Sequence, residues 1–426
     1  MKKLTLTLIA IGVISLAFCQ RTLIHAGTLI DGVSKQAKKE MTVIVEDDKI
    51  TAIEKGYTKA GENDVVVDLK GHTVMPGWID MHVHMEGETS PDRYIRAFTD
   101  NPADKAFASV DIARRTLMAG FTTVRDVGGS GVNVALRDAI AKGIIDGPRI
   151  FTAEKSLAIT GGHADPTNGY RDDLMGNPGP EDGVVNGVDD ARQAVRQRYK
   201  NGADLIKITA TGGVLSVAKD GKGAHFQEDE IKAIVETAAD LGFHVAAHAH
   251  GDEGMRRAVA NGVKTIEHGT YMSEATMDLM IKKNSYLVPT ITAGMEVAEN
   301  AKKPGYYPKV VAEKARVIGP KIQGTFAAAY KKGVPIAFGT DAGVFRHGEN
   351  AREFVYMTQA GMPAMEAIIC ATSNNATLLK MGDQIGTLKA GYLADIVAVP
   401  GNPLEDIEVM KLTSFVMKEG KIYKQR

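Results

Sequence analysis

Cysteine and tryptophan are nearly missing from this 426-residue chain, which has two of the first and one of the second. Cys19 and Cys370 are too few for a disulfide framework, so stability must come from a packed core. Aromatic residues make up only 6%. Neither sign of charge dominates: 51 Lys and Arg face 52 Asp and Glu, a formal net charge of −1. No long-range field therefore draws the chain to nucleic acid or to an anionic membrane. The apolar run Leu4–Phe18 is too short to span a bilayer. What remains is an ordinary globular balance, 44% hydrophobic and 24% charged, enough for one large domain and a small one. The 45 glycines suit a fold with many tight loops.

Residues 1–19 differ from the rest. Lys2 and Lys3 precede the apolar run, and Ala17-Phe18-Cys19 offers small residues for cleavage before Gln20. This is the pattern of an export signal. The expected location is periplasmic or secreted. The rival is a lipoprotein acylated on Cys19, against which Phe18 is bulky.

Residues 20–72 contain short alternating strands: Arg21–Ala26, Met41–Glu46, Lys49–Lys55 and Asp64–Leu69. From residue 73 apolar runs of four to eight residues alternate with amphipathic helical segments. Buried parallel strands read as continuous apolar runs. The pairs are Val74–His82 with its following helix, then Phe121–Val127 with Val132–Lys142, and Arg149–Ala153 with Asp189–Asn201. Asp204–Ala210 precedes Gln227–Leu241, His244–His248 precedes Gly254–Asn261, and Thr265–His268 precedes Ser273–Lys283. Tyr286–Thr290 leads to a helical region over 308–332, and Pro335–Gly339 to Asn350–Ala360. Eight such pairs predict a (β/α)8 barrel over 73–378, with a doubly wound sheet as the alternative. Past residue 379 short strands return at Gly386–Leu388, Ala394–Val399, Ser414–Lys418 and Lys421–Tyr423. Segments 20–72 and 379–426 are expected to build one small β-sandwich domain together.

Chemistry in such barrels sits at the C-terminal ends of the strands. The first run ends in His82-x-His84, a spacing that puts both imidazoles on one side of a strand. The fourth, LIKITATGG, buries Lys207; the fifth, HVAAHAHG, carries His248 and His250. The sixth, TIEHG, carries Glu267 and His268, and the eighth, IAFGTDAG, carries Asp341. Five of the 11 histidines fall on three of these ends. Neutral imidazoles and a carboxylate aimed at one space suit a divalent cation. A lysine inside an apolar strand is costly as an unpaired charge. It pairs with a carboxylate, reaches solvent, or serves as a low-pKa amine that adds carbon dioxide to give an anionic, bidentate carbamate.

His82-x-His84, Lys207, His248, His268 and Asp341 resemble the metal set of the amidohydrolase superfamily. IKITATGGVLS, AAHAHG, TIEHGTY, FGTDAG and GTLKAGYLADIVAVPGNPLEDI are similar to the imidazolonepropionase-like, Xaa-Pro dipeptidase (prolidase) branch. The resemblance covers about residues 21–426. It implies two divalent metal ions, zinc by default. His82, His84 and Asp341 would hold the first, His248 and His268 the second, and carboxylated Lys207 would bridge them. A bridging hydroxide would attack the scissile carbonyl, and Asp341 would take its proton and pass it to the leaving nitrogen. The implied substrate is a small peptide or amide, a dipeptide or N-acyl amino acid losing its C-terminal residue. Within the enzyme class a cyclic-amide hydrolase or deaminase is the alternative; Lys207 in place of an acid argues against the mononuclear deaminase pattern. Asp341, which a mere binder does not need, argues against a non-catalytic metal- or solute-binding periplasmic protein.

His163, Tyr271 and His250 are candidate substrate contacts. For each, an ordinary loop, core or supporting role is the alternative. Arg125 and Asp126 read as a buried ion pair. His225, Arg346 and His347 lie in loops where a cation would meet a substrate carboxylate or, more commonly, solvent. His72 reads as a turn residue. Self-association is compatible with the sequence, and no membrane partner is expected beyond the lipid-anchor alternative. The export reading has a direct check. Mass spectrometry of the native protein should show a chain beginning at or near Gln20; an intact Met1 rejects export, and a lipid adduct on Cys19 selects the lipoprotein.

Overall fold

A computed structural model describes residues 20–217 and 221–425, so the expected export segment lies outside the described residues. In chain order the strands are β1 (Arg21–Leu29), β2 (Lys38–Glu46), β3 (Lys49–Lys55), β4 (Val65–Pro76), β5 (Trp78–Val83), β6 (Phe121–Asp126) and β7 (Arg149–Thr152). They continue as β8 (Ile206–Thr209), β9 (Val245–Ala249), β10 (Thr265–His268), β11 (Tyr286–Val288), β12 (Ile396–Pro400), β13 (Phe415–Lys418) and β14 (Lys421–Gln425).

Seven of them form one sheet in the order β14-β13-β12-β4-β1-β2-β3. Strands from the two chain ends meet where β4 pairs antiparallel with β12, Met75 against Val397. Ile50 of β3 and Phe415 and Met417 of β13 share one apolar core, although their strands lie near opposite ends of the order. Ala394 N–H donates to Asp48 O at 2.7 Å and Gly391 N–H to Ile50 O at 2.8 Å, so the sheet folds over that core. His72 is a strand residue here, opposite Pro400, rather than a turn residue. Residues 386–388 join no strand; Leu388 N–H donates to Asp31 O.

The expected strand Val74–His82 is split. Val74 and Met75 belong to the sheet's β4, and β5 begins at Trp78. The apolar run continues without a break because both halves are buried, Val74 in the core of the seven-stranded sheet and Met75 and Trp78 in the larger core beside it. Hydrophobicity alone cannot mark that crossing. Gly77 makes it: a Cβ there would lie 2.1 Å from Thr122 Oγ1.

The remaining strands are parallel, in sheets β5-β6-β7 and β8-β9-β10-β11. Isolated bridges span the gaps at Leu157–Ile208, Leu287–Ile336 and Val83–Ala342. Residues 335–342 thus lie between β11 and β5. Met81 N–H donates to Phe338 O and Asp341 N–H to His82 O, at 3.0 and 2.7 Å. The eighth segment is bridged rather than laddered because Asp341 takes a left-handed φ of 60°. Helices cover the outside. Pro102–Met118 follows β5, where a helix was expected without bounds; Ile291–Asn300 was not among the expected segments, and Lys309–Lys332 was. Thr290, also left-handed at φ 52°, separates β11 from the helix Ile291–Asn300. Trp78, Phe121, Phe338 and Phe354 pack ring against ring beneath the strands, 4.4–5.9 Å between centroids. Among the described residues no helix is long and apolar enough to cross a membrane.

The Gly77 crossing is testable. Gly77→Ala forces a methyl against Thr122, and overpacking of this kind costs about 1–3 kcal/mol. The thermal midpoint should fall; an unchanged midpoint would show that Thr122 yields freely.

Candidate active site

The strand ends surround a cavity of about 400 Å³ lined by His82, His84, His163, Lys207, His248, His250, His268 and Asp341. Its opposite wall is apolar, built from Val214, Leu215, Val297, Ile318, Ile322 and Val344. Arg93 and Glu88 complete the charged lining, and Glu88 is paired with Arg115 at 2.8 Å.

Each imidazole is oriented by the atom behind it. His82 Nδ1 meets Glu267 Oε2 at 2.8 Å, and His84 Nδ1 meets Gly128 O at 2.8 Å. His268 Nδ1 meets Thr290 Oγ1 at 2.7 Å, His250 Nδ1 meets Thr270 Oγ1 at 2.8 Å, and His248 Nε2 meets Gly212 O at 3.2 Å. The carbonyl and carboxylate acceptors require an N–H on the nitrogen they bind. The Nε2 atoms of His82 and His84 are therefore lone pairs when these rings are neutral. Both face Asp341 Oδ1, at 3.4 and 3.3 Å, and that buried oxygen has no hydrogen-bond partner. Three acceptors around one point lack the positive charge they need. A divalent cation fits them, and so does the ligand chemistry of two nitrogens and an oxygen. Ligand-type atoms of His82, His268 and Asp341 lie within 4.8 Å of one another, as do those of His248, His250 and His268.

Behind the site runs a fully buried ion pair. Arg125 Nη2 donates to Glu267 Oε1 at 2.8 Å, and Arg125 Nε to Met81 O at 2.6 Å. The partner expected for Arg125 was Asp126. Neighbours on a strand point to opposite faces, and Asp126 instead accepts from the Met85 and Gly128 N–H groups. Burial would raise the Glu267 carboxyl, but Arg125 and His82 outweigh it and hold it down at about 2. Burial lowers Lys207 to about 8, against the opposing pull of Glu267 and Asp341. Burial also pushes His248 and His268 well below the ordinary histidine value and His250 down to about 4, so all three stay neutral near pH 7. Burial raises the Asp341 carboxyl, and positive charge on His82 and His84 would outweigh that and hold it well below a normal carboxylate; with both rings neutral that charge has to come from a cation.

Two site residues carry backbone strain, His268 at φ 74° and Asp341 at φ 60°. Left-handed backbone in a residue other than glycine costs of order 1–3 kcal/mol, and persists where the surroundings impose it.

The structure brings together all six residues of the expected metal set, with His163 and His250 beside them. His163 stacks on His248, 4.3 Å between centroids, and its buried Nδ1 has no partner. Tyr271 does not line the cavity; its ring lies 4.1 Å from Lys222 Nζ. His347 is buried rather than solvent-facing, its Nε2 3.0 Å from His84 O and its Nδ1 3.0 Å from Thr116 Oγ1. His225 and Arg346 are not among the lining residues. The sequence reading gave no role to Glu267, Thr290 or Arg93. An acid inside the apolar run TIEH was a signal for the first; nothing marks the other two.

A histidine-lined, carboxylate-bearing cavity at the ends of parallel strands defines a metal-dependent hydrolase class. The model of the amidohydrolase family matches residues 73–423, and the chain belongs to that family. An ochratoxinase of Aspergillus niger is 33% identical over 432 residues, 95% of this chain and 86% of the relative. The crystal structure of a Xaa-Pro dipeptidase with methionine bound in its active site is 50% identical, with a TM-score of 0.93. It covers 95% of this chain and all of that one. A prolidase complexed with N-methylphosphonate-L-proline is 31% identical at a TM-score of 0.85, over 96% of this chain and 100% of the other. The chain lies on the branch that holds prolidases and imidazolonepropionases. It is a hydrolase acting on amide or peptide bonds, which sets aside the reading as a passive binding protein.

The buried pair behind His82 makes a prediction. Arg125→Met strands the Glu267 charge, and breaking a buried pair by removing one partner costs about 3–5 kcal/mol. Denaturant melts at pH 7 should show that loss. The deficit should shrink as pH falls, because protonating Glu267 removes the unpaired charge. A deficit that grows in acid would contradict the pairing.

Proposed function

We propose that the chain is an exported hydrolase with two divalent metal ions, which releases the C-terminal amino acid from dipeptides or N-acyl amino acids in the manner of a Xaa-Pro dipeptidase. The observation that carries this reading is the convergence of His82, His84 and Asp341 on one unsatisfied point beside an amphipathic cavity. The bridged ring of strands is read as a closed (β/α)8 barrel, and the folded seven-stranded sheet as a β-sandwich.

His82, His84 and Asp341 would hold the first cation, His248 and His268 the second, with carboxylated Lys207 between them. The pair, zinc by default, would supply an acidified water and a polarised carbonyl. Asp341 takes the proton of the attacking water and returns it to the leaving nitrogen. Its placement supports that work: buried, held ionised, and in reach of both His82 and His84. The apolar wall suits an uncharged side chain, and Arg93 supplies a positive charge for a carboxylate. His163, with one free nitrogen in the cavity, is a substrate contact. The chain acts in the periplasm or medium, without nucleic-acid partners.

The test pairs metal content with turnover on one preparation, purified without chelators and with bicarbonate. Wild type should carry about two divalent ions and cleave members of a panel of Xaa-Pro dipeptides and N-acyl amino acids. Asp341→Asn keeps an oxygen donor and the volume but cannot accept a proton. It should retain much of its metal and lose roughly 10²–10⁴-fold in kcat. Elemental analysis near zero, or no turnover across the panel, overturns the reading. Near-wild-type turnover by Asp341→Asn removes only the proton-transfer role.

A further inference from the structure

Much of the apolar wall of the cavity is a contact between two helices. Ala293, Gly294 and Val297 reach it from the helix Ile291–Asn300, and Ile318 and Ile322 from the helix Lys309–Lys332. None of these five has a charged or polar side chain, so a substrate group lying against them meets carbon.

Two residues at this contact are ones a helix disfavours. Glycine inside a helix costs about 1 kcal/mol relative to alanine, so a buried one needs a reason. Neither Gly294 nor Gly319 has the left-handed backbone that calls for glycine. The reason is close approach. A Cβ on Gly319 would lie 2.9 Å from Gly294 O and 3.2 Å from Met295 Cα, so the two backbones touch. A Cβ on Gly294 would lie 2.7 Å from Ile322 Cγ2 and 3.5 Å from Gly319 Cα. Gly324, on the same helix but exposed, has open space where its Cβ would stand. The crowding therefore belongs to the crossing and not to the helix as a whole.

Both helices are fastened. Buried Glu353 accepts from the N–H groups of Ile291 and Thr292 at 2.8 Å, and Arg352 Nη1 donates to Glu296 Oε2 at 3.0 Å. Lys314, one turn before Ile318, donates to Gly213 O at 2.8 Å and to Ser216 O at 2.7 Å. It ties the second helix to the loop that supplies Val214 and Leu215. With the helices held, a group added at position 294 has to displace the Ile322 side chain, which lines the cavity. A β-branched residue in a helix has one strongly preferred rotamer, so Ile322 does not swing aside freely.

We infer that Gly294 is a specificity-determining residue: its missing side chain leaves the space that Ile322 fills, and the Gly294–Gly319 crossing thereby sets the size of the apolar substrate group the cavity admits. The inference rests on the proposed amide-hydrolase reading and adds which residues set selectivity within it.

The test is selectivity, read as kcat/KM of the metal-loaded enzyme on two substrate series. In one, N-acetyl amino acids, the released residue grows from alanine through leucine to phenylalanine. In the other, acyl-alanines, the acyl group grows from acetyl to phenylacetyl. Gly294→Ala should lose at least about 10-fold on the largest member relative to the smallest in one series, since one methylene in an apolar pocket is worth roughly 10–200-fold. A merely structural effect would lower all members alike. Ile322→Ala alone should favour the large members beyond wild type, and added to Gly294→Ala it should restore them. Gly324→Ala should keep the wild-type ratio. Melting midpoints show which variants fold; if Gly294→Ala does not, Ile322→Ala against wild type carries the test. Size ratios unchanged in both series for Gly294→Ala and Ile322→Ala overturn the inference and leave the proposed function standing. A wild type that turns over no member overturns the proposed function, and the inference with it.

Discussion

Burial without compensation is the constraint on which this molecule turns. The imidazole nitrogens of buried His82 and part-exposed His84 face one buried, unpartnered carboxylate oxygen of Asp341 at 3.3–3.4 Å. Buried acceptors left unmatched cost of order 1–3 kcal/mol each. A chain that keeps such an arrangement at the C-terminal end of β5 is built for a positive charge supplied from outside. The surrounding structure can be read as what holds those acceptors in place when they would otherwise turn away.

That support is layered. Glu267 fixes His82, and Arg125 in turn fixes Glu267, at 2.8 Å in each step. Arg125 also holds the Met81 carbonyl, so the same guanidinium anchors the strand that carries His82. On the far side Glu353, fully buried, accepts from Ile291 N–H and Thr292 N–H at 2.8 Å. It caps the helix that follows Thr290, whose hydroxyl orients His268. Strain at His268 and Asp341 is tolerated because the neighbouring strands leave these residues no relaxed alternative. The strength of the site is therefore in long-range pairs, such as His82 with Glu267, 185 positions apart, and His84 with His347, 263 apart.

The apolar lining of the cavity belongs largely to a different part of the molecule. The apolar wall comes largely from the helices Ile291–Asn300 and Lys309–Lys332 and from the loop holding Val214 and Leu215, with Val344 added from the segment that follows Asp341. Relatives that share the fold bear such different names as ochratoxinase and Xaa-Pro dipeptidase.

Local pattern determined a good deal by itself. Period-two alternation placed the terminal strands, and continuous apolar runs placed the buried parallel ones. Histidine, lysine and aspartate at the ends of those runs announced the site, because a strand end fixes which side chains can share a space. Tertiary structure decided the rest. The crossing at Gly77 is invisible in an apolar run that passes from one core into another. The partner of Arg125 depends on which neighbouring strand its face meets, and that was Glu267 on β10, not the adjacent Asp126. His347, Tyr271 and His250 each lie at or just beyond the end of an apolar run, and the sequence does not separate their roles. Only packing made the first a support for His84, turned the second away from the cavity and brought the third against His268. The reason is physical: periodicity reports which face is buried, while the partner across that face is chosen by strands and helices far away in the chain.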